Sequence, residues 1–137
     1  MTEDSQSHPL GVLKKKLRFF VLCGFWLALF ISTHLPSDKI IDLPNNSDKL
    51  AHFSGYAILA FLLGFWFCRK KPFDLKMAST VFGILFFYAI IDELLQIPVD
   101  RSCDFLDMLA DWIGGIIGLC CLWSLFLLKR RTLASDR

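Results

Sequence analysis

The stretch IIDELLQIPVDRSCDFLDMLADWIGG, Ile90 to Gly115, sets six carboxylates and one arginine between two runs of apolar residues. What it means depends on its surroundings. Hydrophobic residues make up 55% of the 137-residue chain and charged residues 20%, and the mean hydropathy is positive. That balance is too apolar for a soluble domain of this size and points to a small integral membrane protein.

Four runs are long enough to cross a hydrocarbon core of about 30 Å, which takes roughly 20 helical residues. They lie near Phe19 to Leu35, Leu50 to Cys68, Met77 to Ile97 and Phe105 to Leu128. The first is free of Asp, Glu, Lys and Arg, and the second carries only His52. The third and fourth are clean except where they meet the quoted acids. Each run is continuously apolar without the alternation of a barrel strand, so helices are expected. The predicted fold is all-α, with four transmembrane helices in one membrane domain at 17–128. Basic tails flank it at 1–16, loosely ordered, and at 129–137.

Charge sets the expected orientation. Lys14, Lys15, Lys16 and Arg18 precede the first span, Arg69, Lys70, Lys71 and Lys76 separate the second from the third, and Lys129, Arg130, Arg131 and Arg137 follow the fourth. The positive-inside rule then puts both termini and the middle loop in the cytoplasm. The outer side keeps Lys39, Lys49 and Arg101 against Asp38, Asp42, Asp48, Asp92, Glu93, Asp100, Asp104, Asp107 and Asp111. The net charge of +2 hides this separation. The basic clusters read as topology signals and contacts to anionic lipid rather than as a nucleic-acid surface. The first span is taken as a retained helix, since no A-x-A-like cleavage site follows it. The cysteines have no ligand or framework spacing, which argues against a disulfide scaffold and a cysteine zinc site. The loop from Pro36 to Ser47 is rich in turn residues.

This topology brings three helix ends to one depth. Asp48, His52 and Tyr56 recur at i, i+4 and i+8, Asp92 and Gln96 at i and i+4, and Asp104, Asp107 and Asp111 at i, i+3 and i+7. Each helix should show one polar stripe at its outer end. His52, Asp92 and Asp111 fall one to two turns inside the boundary, where a carboxylate facing lipid costs several kcal/mol. The stripes are therefore expected to face one another across a small cavity.

DKLAHFSGYAILAFLLGF followed by DELLQIPVDRSCDFLDMLADWIGGIIG resembles the VanZ family of small bacterial membrane proteins, named for an accessory factor in teicoplanin resistance. The matching positions are Asp48, Lys49, His52, Phe53, Asp92, Glu93, Gln96, Arg101, Asp104, Asp107 and Gly114. Asp111 departs from the family's usual Asn and adds an acid. The resemblance implies a polytopic helical fold in the bacterial cell envelope and a link to glycopeptide tolerance.

The individual residues admit competing readings. Asp104 suits the N-cap of the fourth span, with Asp107 in capping-box position, and Ser47 or Asp48 could cap the second. His52 is either a histidine hydrogen-bonded within the bundle or a proton-transfer or metal-binding group. Asp92 and Glu93 are about 100° apart on a helix, so one should face the cavity while the other pairs with Lys49 or Arg101. Arg101 forms an ion pair with Asp104 or Glu93, or clamps a phosphate or carboxylate. Gly114, Gly115 and Gly118 form a small-residue face for close helix packing. The aromatics read as lipid-facing and interfacial filling.

Three functions fit. One is an enzyme acting on an envelope lipid or lipid-linked cell-wall precursor, with His52, Asp92 and Glu93 as acid and base and with Arg101, Gln96, Lys49 and Asp104 as the ligand-binding set. A divalent cation, magnesium or calcium, held by Asp48, Glu93 and Asp107 would serve it. The second is a non-enzymatic binding or resistance factor using the same pocket. The third is an assembly subunit whose polar cluster only locks helices together. A transporter fits less well, because no acid marks the middle of a span.

Overall fold

A computed structural model describes residues 9–35, 47–68, 73–99, 101 and 103–135. Four helices carry the chain: α1 (Pro9–Thr33), α2 (Ser47–Phe67), α3 (Leu75–Gln96) and α4 (Phe105–Ser135). All four are long and apolar enough to cross a membrane, and no strand occurs among the described residues. A short 3-10 turn, Ile97–Val99, follows α3 and holds Pro98, which cannot continue an α-helix. The expected loop at 36–46 and the basic residues Arg69, Lys70 and Lys71 lie outside the described residues.

Two ends differ from expectation. α1 starts at Pro9, so positions 9–16, expected in a loose tail, are helical, and α4 continues to Ser135 through the expected tail. Pro suits a first helical turn, and Leu and Lys propagate a helix. A run of charge ends the apolar span but not the helix that carries it.

The bundle is inside out relative to a soluble protein. Phe20, Leu27, Ile31, Ile58, Phe87, Ile91, Ile113 and Ile117 are exposed on its outer faces, far beyond the apolar patches soluble monomers tolerate. Hydroxyls on the same faces bond back into their own helices, Ser54 to Leu50 O at 2.6 Å, Thr80 to Lys76 O at 2.9 Å and Ser124 to Cys120 O at 2.9 Å. Such bonds satisfy a donor that lipid cannot. α3 begins at an N-cap, where the Asp74 carboxylate accepts from Met77 N at 2.7 Å.

α2 supplies the centre of the core with Tyr56, Leu59, Ala60 and Leu63, against Val81, Leu85 and Ala89 of α3, Leu119 of α4, and Leu22 and Leu29 of α1. α2 and α4 touch backbone to backbone. A Cβ at Gly114 would overlap the Phe53 carbonyl, and one at Gly118 would overlap that of Ala57. The glycine face therefore does what its spacing predicts. The aromatics are only partly lipid filling. Trp112 stacks on Phe86 with centroids 4.5 Å apart and donates from Nε1 to Phe86 O at 3.4 Å, while Trp26 meets Tyr88 edge-on at 5.1 Å. These rings join helices because a large flat side chain fills the gaps between cylinders.

Candidate functional site

The helices alternate in direction, so the end of α1, the start of α2, the end of α3 and the start of α4 meet at one face. The polar stripes gather there in two layers.

The outer layer is a set of closed ion pairs. Asp104 caps α4, accepting from Leu106 N at 2.8 Å, and its other oxygen takes Lys49 Nζ at 2.7 Å. The same ammonium reaches Asp107 Oδ1 at 2.9 Å, so Lys49 ties the first turn of α2 to that of α4. The helix dipole favours both acids. The Lys49 ammonium, helped by the Leu106 N–H, holds the Asp104 carboxyl below the usual carboxylate range. Arg101 donates to both oxygens of Asp48 at 3.0 Å. Its expected partners, Asp104 and Glu93, are engaged elsewhere. The Arg101 N–H bonds to Gln96 O at 3.2 Å, which folds the turn tightly after α3, and the guanidinium extends to α2 instead.

The inner layer starts one helical turn deeper, about 6 Å below. His52 Nδ1 lies 3.0 Å from Asp111 Oδ1, and the two residues are 2% and 0% exposed. Glu93, fully buried, accepts from Asp104 N at 3.0 Å and from Gln96 Nε2 at 3.2 Å. Asp92 points the other way, towards α1, with His34 Nδ1 at 3.8 Å and Thr33 and Tyr88 beside it. Both acids of the adjacent pair are thus buried, and neither pairs with Lys49 or Arg101. The 100° between them sends Glu93 towards α4 and Asp92 towards α1, two sides of one buried polar cluster rather than one buried side and the surface.

Seven buried side-chain atoms at this end lack a hydrogen-bond partner: His34 Nε2, His52 Nε2, the Tyr56 and Tyr88 hydroxyls, both oxygens of Asp92, and Asp111 Oδ2. A buried polar group left with no partner at all costs about 1–3 kcal/mol, so atoms of this kind are met in folded proteins by another polar group, ordered water or a ligand.

Thr33, His34 and Tyr88 were not predicted as site residues. Thr33 and His34 have no helical partner to form a stripe, and only the packing of α1 against α3 brings them to Asp92, whereas Tyr88, four residues before Asp92 on α3, extends the Asp92–Gln96 stripe and was legible in the spacing. The expected cation set Asp48, Glu93 and Asp107 does not converge on one point. Among the described residues the groups with ligand atoms all within 4.8 Å are Asp48, His52 and Asp107, and His52, Glu93 and Asp111. His52 links the two because it sits one turn below Asp48 and faces α4.

The family model described as VanZ/LLP1 matches residues 30–128 of the 137. The match takes in every residue of both layers, Thr33 and His34 included. Neither a curated protein nor a solved structure matches the chain.

Proposed function

The chain belongs to the VanZ/LLP1 family, and from that premise we propose that it is a bacterial cell-membrane protein whose inner chamber binds or acts on a lipid-linked cell-wall precursor. The termini lie in the cytoplasm and the chamber faces outward. The charge pattern supports this orientation: Lys14, Lys15, Lys16, Arg18, Lys76, Lys129, Arg130 and Arg131 stand at the bundle end opposite the acids. The function accounts for a contribution to teicoplanin tolerance, since glycopeptides act where cell-wall precursors are exposed.

The observation that carries the proposal is the set of seven unpartnered buried atoms. A helix lock would close its hydrogen bonds, as the outer layer does. In the inner layer His52, held by Asp111, offers an imidazole that can give or take a proton, and Asp92 offers a second acid–base group on the far wall. α1 is the least buried of the four helices, so the Thr33–His34 wall is the one whose displacement would admit a headgroup. Arg101 and Lys49 serve the structure, because each is already held by carboxylates.

The test is teicoplanin susceptibility of a tractable bacterium expressing the wild type, His52→Gln or Asp92→Asn, with membrane abundance measured alongside. The wild type should raise tolerance, and both variants should lose it at equal abundance. Full tolerance in either variant, or none in the wild type, would contradict the proposal.

A further inference from the structure

We infer that the inner chamber holds a divalent transition-metal ion, of the zinc or manganese type, between His52, Glu93 and Asp111. The inference rests on reading that chamber as a ligand site, and it goes further by assigning the ligand's chemistry and the atoms that hold it.

The three residues come from α2, α3 and α4, are each at most 2% exposed, and present ligand atoms within 4.8 Å of one another. Geometry suits an ion. Two ligands about 2.1 Å from a metal lie about 3 Å apart at an octahedral right angle and about 3.4 Å apart in a tetrahedron, so a hydrogen-bonded pair need move by no more than a few tenths of an ångström to admit an ion. The separation of His52 Nδ1 and Asp111 Oδ1 is 3.0 Å. Ligand capacity is left over, because Asp111 Oδ2, 0% exposed, has no partner. Glu93 is oriented as a ligating carboxylate usually is, its oxygens fixed by Asp104 N and Gln96 Nε2.

Charge points the same way. In the ionisation that ligation requires, a neutral imidazole and two carboxylates, the trio would carry two negative charges at low dielectric, with Asp92 close by. The cations of this end that are described, Lys49 and Arg101, are engaged by Asp104, Asp107 and Asp48. A divalent ion would neutralise the trio. The imidazole selects a borderline metal over magnesium or calcium, which prefer all-oxygen shells. The neighbouring group Asp48, His52 and Asp107 competes for the same histidine, but its carboxylates are already held by Arg101 and Lys49. The ion would act as a Lewis acid and as a source of activated water.

The experiment uses the full chain purified in lipid nanodiscs, stripped with a chelator, exposed to zinc, manganese or magnesium, washed, and analysed for metal by mass spectrometry. The wild type should retain about one equivalent of zinc or manganese and little magnesium. Glu93→Gln and Asp111→Asn should each lower retention at least about tenfold, while Asp48→Asn retains it. Wild-type protein that keeps no zinc or manganese overturns the inference, as does retention by Asp111→Asn or loss from Asp48→Asn alone. Should a ligand variant fail to fold, a zinc-dependent rise in wild-type Tm, not reproduced by magnesium, decides in its place, and no rise overturns the site. Absence of metal while His52→Gln still abolishes tolerance would remove the ion and leave the chamber's function standing. Metal lost from Asp111→Asn with tolerance intact would do the reverse.

Discussion

The outer ring and the inner polar cluster both join α2 to α4 through carboxylates one turn apart, yet they are finished differently. In the ring every charge has a partner: Lys49 with Asp104 and Asp107, Arg101 with Asp48. In the inner cluster Asp92 has only the 3.8 Å approach of His34 Nδ1, with Thr33 and Tyr88 beside it, and His52 and Asp111 meet through one atom of each. Burial sharpens the contrast, since Asp48 is 52% exposed and Asp92 1%. Partners were thus spent where water could have served and withheld where it could not. A ring of closed pairs fixes where helices end. A chamber of open groups costs stability, and such a cost persists in sites that bind or react.

Three substitutions sharpen this contrast, from large effect to small. Gly114→Leu drives a side chain into the Phe53 carbonyl, one turn below the His52–Asp111 pair, and should cost about 3 kcal/mol or more. Loss of monodisperse protein on size-exclusion chromatography checks it. A well-folded Gly114→Leu would show that the close approach of α2 and α4 is not what sets the spacing of both layers. Arg101→Met removes a pair whose acid is half in water, so Tm should fall by the equivalent of no more than about 1 kcal/mol. A large drop would move Arg101 from the ring to the functional core.

The smallest effect is one of pH. Asp104 has its carboxyl lowered in the folded state by Lys49, so its contribution is present above the unfolded value of about 4 and is lost as pH falls through the folded value. Melting curves of wild type and Asp104→Asn should therefore differ at neutral pH and converge below about pH 4. A difference that persists in acid would show that the ion pair with Lys49 is not its source, since Asn caps the helix as Asp does.

Much of this was legible in the residues. Continuous apolar runs located four helices, because lipid leaves the backbone no other way to satisfy itself. The i, i+4 and i+3 spacings picked out His52, Asp92, Gln96, Asp107 and Asp111, all of which are buried in the polar cluster. Pairing was harder to read. Arg101 reaches past the acids nearest it in sequence because the 3-10 turn at Ile97–Val99 aims it at α2. Asp92 and Glu93 were expected to divide between cavity and surface, and four helices rather than three gave both a buried wall. His34 carried no signal beyond being a histidine at the outer end of a span. Its role depends on how α1 crosses α3, which no local spacing encodes.

The measurement that bears most directly on the chamber is a paired one on Asp92→Leu, with thermal stability in nanodiscs and teicoplanin tolerance in cells. Replacing a buried carboxylate whose one ion-pair contact is His34 Nδ1 at 3.8 Å by a hydrophobic residue of similar volume should leave Tm unchanged or raise it, while tolerance is lost. A Tm that falls together with tolerance would contradict the account, making Asp92 a structural member of the bundle like the acids of the ring.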